Sequence, residues 1–360
     1  MPVSFSPSPL RVCLFRSHVI DINIIANFPQ KMPTPRQRAM AASSETRALL
    51  PDIPARSGTD PTSYFWRYTT NLPPLPAEYH QRIRSAVIEG DPLDVAKDWQ
   101  NYSFQPNNSQ NPANPFPFPP PASYTHTYSN RVLSGQRAPP VHFRSMAEGG
   151  MTNRILVLNT ANEKKPGGEW EGGVLSQEEG FARRSNLIQA LTTTDPRSGL
   201  QTYYPLENTS GIYSPNVVVF REGFDKDYEL WRDEEWTTLA IVSAPAVRRP
   251  KVDESGLHYS FTEERQLQRE KMKSVLRIAA LNGHTNLVLG GFGSCGPEGS
   301  GGGLYKNPVR DVCLLWKDLL FEDEEFKGWF KNVVFAFGKG GGSWMREDGN
   351  SIEEFKQFFG

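Results

Sequence analysis

The chain has 360 residues, 38% of them hydrophobic and including 8 Trp and 21 Phe, which is enough for one large core or two modest ones. A net charge of −1 gives no electrostatic basis for non-specific nucleic-acid binding, so a polyanionic partner must be held by a local site. Cys13, Cys295 and Cys313 are too few and too scattered for a disulfide framework or a zinc site. The six histidines show no ligand spacing, so neither a metal nor a cofactor is expected.

No run approaches the roughly 18 apolar residues of a membrane-crossing helix, so no membrane partner is expected. Reduced thiols fit a cytosolic or nuclear compartment. Residues 1–32 read as a disordered tail. Its first twenty residues carry Arg11 and Arg16 and no acid, which leaves a mitochondrial transit peptide open beside a plain extension or a start at Met32 or Met40. Residues 33–130 read as an accessory region. In it RQRAMAASSETRALL (Arg36–Leu50) predicts a helix, and EYHQRIRSAVIEG (Glu78–Gly90) is a second helical candidate. The Pro- and Asn-rich stretch 105–123 predicts a long surface loop.

From 131 to 360 short apolar runs alternate with amphipathic segments. RILVLN (Arg154–Asn159), NVVVF (Asn216–Phe220), TLAIVSA (Thr238–Ala244), NLVLGG (Asn286–Gly291) and NVVFAFG (Asn332–Gly338) predict strands. Helices are predicted from Gln177 to Leu191, from Glu263 to Leu281, over NPVRDVCLLWKDLL and over SIEEFKQFF. Asn307 is expected to cap the third of these with Pro308 at its first position, and Val309, Val312, Cys313, Trp316 and Leu320 to form its core face. The alternation implies an α/β domain with a mixed or mostly parallel sheet, in which ligands sit at the carboxyl ends of strands.

Two glycine-rich loops follow strands directly. The first, KKPGGEWEGGVLSQEEGFARRSN (Lys164–Asn186), ends in Ser176 and Glu179 at capping-box spacing, which alone describes a helix start. Its glycines exceed what a cap needs, and glycine between strand and helix lets backbone N–H groups approach a phosphate. The second, GGFGSCGPEGSGGGLYKNP (Gly290–Pro308), contains no G-K-[ST], so it is not a Walker A loop. Two such loops can grip a diphosphate, an asparagine of Asn159–Asn162 a ribose, and a carboxylate pair the far end of the ligand. A glutamate whose pKa is raised by a second can act as general acid on a glycosidic oxygen.

At these residues the chain resembles the macrodomain fold and, within it, the microbial-type poly(ADP-ribose) glycohydrolases. Asn159-Thr160-Ala161-Asn162 is similar to that family's Asn-Ala-Ala-Asn stretch. Gly167, Gly168 and Glu169, seven residues, then Gln177, Glu178 and Glu179 match its glycines followed by Gln-Glu-Glu. RRSNL (Arg183–Leu187), IYSPNVVVFRE (Ile212–Glu222), SAPAV (Ser243–Val247), LVLGGFGSCG (Leu287–Gly296) and KNPVRDV (Lys306–Val312) also match.

The resemblance implies a macrodomain-like three-layer α/β/α fold with a mixed sheet, preceded by an N-terminal helical and irregular extension. It implies Glu179 as general acid and base and Glu178 as the residue orienting the leaving ribose. Asn162 would meet ribose hydroxyls. Gly172, Gly173, Val174 and Gln177 would line the ligand, and Gly291, Gly293, Ser294 and Gly296 would form the second phosphate loop. Tyr305 would lie against ribose or adenine. The implied substrate is poly(ADP-ribose) or ADP-ribosylated protein, with no sequence-specific nucleic acid and a monomeric chain. Glu169 replaces a glycine of the motif, and PEGSGGG (297–303) lengthens the second loop. These departures leave open an ADP-ribose-binding protein without turnover, or a mono-ADP-ribosyl hydrolase.

Overall fold

Runs of Val, Ile, Leu and Phe with no polar interruption suit strands covered on both faces. Four of them do form such strands: β3 (Leu156–Thr160), β5 (Thr237–Ala244), β6 (Asn286–Leu289) and β9 (Asn332–Phe337). With β1 (Tyr64–Trp66), β2 (Arg84–Glu89) and β4 (Gly211–Val219) they make a seven-stranded sheet in the order β1-β4-β5-β3-β6-β9-β2. The strands from β5 to β2 run parallel; β4 is antiparallel to both β5 and β1. The computed structural model describes residues 32–75, 77, 80, 82–103, 155–295, 305–338 and 348–360. Apart from Met32 and Pro33 these belong to one compact unit, Thr34–Gly360. The expectations for the tail (Met32 apart) and for the 105–123 loop lie outside the described residues.

Helices cover both faces of the sheet, giving the three α/β/α layers. One core joins the sheet to α6 (Thr262–Leu281), α7 (Val309–Lys317) and α8 (Asp348–Phe359) through Met272, Leu276, Val312, Trp316 and Phe355. The other joins it to α3 (Pro92–Ser103), α4 (Gln177–Arg184) and α5 (Leu187–Thr192) through Trp99, Phe181 and Leu187. α1 (Pro35–Leu49) and α2 (Ile53–Ser57) add small satellite clusters. α1 starts in a full capping box between Thr34 and Gln37. The expected core face Val309, Val312, Cys313, Trp316 and Leu320 is buried. Among the described residues no helix is long and apolar enough to cross a membrane.

Four local expectations are corrected. In the stretch Glu78–Gly90, expected to be helical, Arg84–Glu89 is a strand instead: it pairs in parallel register with Asn332–Phe337 as β2, and edge pairing overrides local composition. The helix expected from Gln177 to Leu191 is two helices. Ser185 bridges Val219, and the Asn186 side-chain oxygen accepts from Val218 N at 2.8 Å, which ties the break to β4. Asn307 does not cap α7. It donates from Nδ2 to Val247 O at 2.8 Å and accepts from the Tyr259 hydroxyl at 2.8 Å, and the helix begins at Val309. Ser176 stands at the N-cap of α4 with extended backbone but makes no side-chain capping bond.

Candidate active site

The carboxyl ends of β3 and β6 lie side by side, and both glycine loops leave from there. At the start of α4, Gln177 docks onto β3: its Oε1 accepts from Thr160 N at 3.2 Å and its Nε2 donates to Leu158 O at 3.4 Å. That contact turns the next two side chains inward, where Glu178 is 3% and Glu179 7% exposed. Glu178 braces two loops, its Oε2 accepting from Asn162 N (2.6 Å) and its Oε1 from Gly167 N (3.1 Å). Glu179 Oε1 accepts from Glu169 N at 3.0 Å, and its second oxygen bonds no other described residue.

Burial dominates the electrostatics of this pair. It pushes Glu178 up to about 8, helped by the Glu179 charge and opposed by the two backbone N–H groups. Burial also raises Glu179; the Glu169 N–H and the Arg183 charge oppose the rise, and the Glu169 carboxylate adds to it. At neutral pH the pair therefore holds at least one proton, on a carboxyl group that needs no metal to keep it.

The Glu169 side chain, which stands where a glycine was expected, is 61% exposed and paired with Lys165. Its backbone N–H performs the turn's contact with Glu179, so the substitution changes the rim and leaves that contact in place.

The rest of the first loop is held from behind. Gly172 offers an open face, while its carbonyl accepts from Arg36 Nε at 2.9 Å. Gly173 packs against α1, where an added β-carbon would meet Arg36 O at 2.7 Å. Val174 is exposed, and its carbonyl accepts from Arg183 Nη2 at 2.6 Å. Asn162 spends its side-chain oxygen on an Asx turn, accepting from Lys164 N (2.8 Å) and Lys165 N (3.3 Å).

In the second loop Gly291, Phe292, Gly293 and Ser294 form a tight turn, with Ser294 N donating to Gly291 O at 2.9 Å. Gly293 sits at φ 79° beneath Tyr305. The short strands β7 (Ser294–Cys295) and β8 (Asn307–Pro308) close the loop's base. Tyr305 is 7% exposed and its hydroxyl donates to Ala161 O, which fastens this loop to the end of β3. Burial and the charges of Glu178, Glu163 and Glu179 raise its pKa. Gly296 lies outside the described residues.

Three contributors are not among the expected site residues, although Arg183 lies in the RRSNL stretch that matches the family. Tyr204 is half-buried with a buried hydroxyl that has no hydrogen-bond partner among the described residues, and burial and the Glu178 charge raise its pKa. Ser43 reaches the site from α1, donating to Trp170 O at 2.7 Å. Arg183 is fully buried against the same loop. Only Arg183 has a local signal, its position four residues after Glu179.

Residues 135–222 match the family model of the microbial-type PARG catalytic domain. The resemblance read from the sequence is thereby shown over the span holding Asn162, the glycine turn and the glutamate pair; the second loop lies beyond it. No curated protein sequence matches the chain. Among solved structures, the chain is similar to poly(ADP-ribose) glycohydrolase (PARG) from Thermomonospora curvata. The identity is 21% over 89% of this chain and 99% of that one, with a TM-score of 0.55. The same enzyme bound to the inhibitor ADP-HPD gives 21% identity over 89% and 98% of the two chains, with a TM-score of 0.54. At that identity the likeness is one of fold: the chain has the macrodomain-like α/β architecture of a bacterial PARG.

Proposed function

We propose that the chain is a poly(ADP-ribose) glycohydrolase that hydrolyses the ribose–ribose O-glycosidic bond and releases ADP-ribose. The observation that carries this reading is the buried Glu178–Glu179 pair, wrapped by the Gly167–Glu169 turn and facing two glycine loops at the strand ends. Glu179, whose pKa burial raises, gives its proton to the leaving ribose oxygen as the anomeric carbon–oxygen bond breaks. The positive charge left on the sugar ring is stabilised by the neighbouring carboxyl pair and the ligand's own diphosphate. Glu179, now ionised, takes a proton from the water that attacks the anomeric carbon, and the carboxyl is restored.

Glu178 acts chiefly by shape in this scheme, since its oxygens hold Asn162 and Gly167 in place for the ribose. The diphosphate lies along the backbone of Gly172–Val174 and the Gly291–Ser294 turn, with the Tyr305 ring against a ribose or the adenine. Glu169 had left a binding protein without turnover open. Its carboxylate is exposed and paired with Lys165, which supports the reading with turnover.

Incubation with labelled polymer tests the reading. Wild type should release ADP-ribose, and Glu179→Gln should bind ADP-ribose but leave polymer intact. An inert wild type at saturating enzyme, or a fully active Glu179→Gln, would sink it. ADP-ribose binding without polymer loss would identify a reader, and release from defined mono-modified protein alone would identify a mono-ADP-ribosyl hydrolase.

A further inference from the structure

Two buried arginines stand side by side at the end of α4 and serve different ends. Arg184 is 1% exposed and ion-paired with Asp91 at 2.6 Å and with Asp94, and both charges raise its pKa against desolvation. Its role is to join α4 to the start of α3. Arg183 is 0% exposed and joins no ion pair among the described residues. Its guanidinium donates instead from Nη2 to Trp170 O and Val174 O, each at 2.6 Å, and from Nε to Ser43 Oγ at 3.1 Å. The Tyr228 ring lies 6.0 Å from its Cζ, and the Thr46 hydroxyl of α1 donates to Arg183 O at 2.6 Å.

Burying a charge without a counter-ion is unfavourable, and desolvation lowers the Arg183 pKa accordingly. Two carbonyls and a hydroxyl can be satisfied by neutral donors, so the charge itself calls for a reason. Glu179 lies one helical turn earlier, in the acid-before-base order at i, i+4 that favours attraction. Facing Glu179 are Glu178 from its own helix, Glu169 from the turn and Tyr305 from the second loop, all of them acids. Arg183 is the cation set against them, while α1 supplies Ser43 to its guanidinium and Arg36 to Gly172 O.

We propose that Arg183 is a positioning residue for the hydrolysis, fixing the Trp170–Val174 turn that faces the ligand and setting a permanent positive charge behind Glu179. This rests on the glycohydrolase reading above. Glu179 has to release a proton to the leaving oxygen and then recover one from water. Burial, with the Glu169 carboxylate, raises its pKa and so tightens its hold on the proton, and the Arg183 charge opposes that rise. The guanidinium fork ties the turn to α1, Nη2 bridging Trp170 O and Val174 O while Nε holds Ser43, a division between two fixed nitrogens that a single ammonium cannot reproduce.

Four proteins test this: wild type, Arg183→Met, Arg183→Lys and Ser43→Ala, each checked for folding by circular dichroism. The readouts are the Glu179 titration followed by carboxyl ¹³C NMR, ADP-ribose affinity by calorimetry, and kcat and KM on labelled polymer. Arg183→Met should move the Glu179 midpoint upward, shift the pH–rate profile the same way and lower kcat by about 10- to 100-fold. Arg183→Lys should restore the midpoint but leave KM raised, because the fork is lost. Ser43→Ala should keep the midpoint and raise KM about threefold.

A folded Arg183→Met with the wild-type midpoint, or with wild-type kcat and KM, overturns the proposal. If that variant does not fold, wild-type kcat and KM in both Arg183→Lys and Ser43→Ala overturn it. An inert wild type with an upward midpoint in Arg183→Met defeats the glycohydrolase reading while upholding the Arg183–Glu179 coupling. An active wild type with an unmoved midpoint defeats Arg183's part alone.

Discussion

Gly168 and Glu179 are in direct contact: a β-carbon built on Gly168 would stand 2.3 Å from Glu179 Oε1 and 3.4 Å from Glu178 Oε2. The glycine backbone, at φ 54°, is thus moulded onto the carboxyl pair. Gly168→Ala has to shift Glu179 or unwind the turn that carries the Glu169 N–H. Turnover of labelled polymer should fall about 100-fold, as expected for a misplaced catalytic group, with a stability loss of about 1–3 kcal/mol from the left-handed backbone. Wild-type kcat in a folded Gly168→Ala would show that the turn does not position Glu179.

The Glu169 side chain adds negative charge near Glu179 from an exposed position, while its backbone makes the structural contact. Glu169→Gln keeps the backbone and removes the charge. Because a nearby anion disfavours the ionised form, losing it should lower the Glu179 pKa and move the pH–rate profile to lower pH. kcat at the new optimum should stay within about threefold of wild type, since exposed ion pairs contribute little. An upward or absent shift of the profile contradicts this account of Glu169.

The strands that build the site were legible because β3, β5, β6 and β9 are buried on both faces and carry their signal in their own composition. The glutamate pair was legible for a related reason: the Gln-Glu-Glu spacing from the glycines is a local property of one loop and one helix start. β2 was not, since a half-buried edge strand takes its identity from pairing with Asn332–Phe337. Ser43 lies 127 residues from Trp170 in sequence, and a serine in a helix carries no mark of so distant a partner. Asn307 and Ser176 both looked like helix caps. At Asn307 the side chain found better partners across the fold, in Val247 O and the Tyr259 hydroxyl, and propensity yields to such contacts.

The second loop is set by packing more than by flexibility. Gly293, at φ 79°, lies under Tyr305 and Ala246, where a β-carbon would come within 2.7 and 2.8 Å of theirs. Gly293→Ala should cost about 1–3 kcal/mol in urea unfolding and also weaken ADP-ribose binding, because pushing Tyr305 away strains its bond to Ala161 O at the end of β3. Unfolding and calorimetric titration of the same preparation check both. Unchanged affinity in a destabilised variant would separate Gly293 from the ligand site.

Glu178 couples the site to overall stability. The folded protein holds its proton up to about pH 8, whereas an unperturbed carboxyl releases it near 4.5. Between those values the folded state binds a proton that the unfolded chain does not, so stability falls as pH rises through the window. The contribution is whole below the unfolded value and gone above the folded one. Its size is on the order of a few kcal/mol for a buried carboxyl. Glu178→Gln carries no titrating group and should flatten the fall in melting temperature between pH 5 and pH 8.5. At pH 5 the variant should be the less stable protein, by about 1–2 kcal/mol, because one of the N–H groups of Asn162 and Gly167 loses its acceptor. At pH 8.5 that difference should shrink or reverse. Melting curves of the two proteins across this range decide it, and parallel curves would mean that Glu178 releases its proton at an ordinary pH despite its burial.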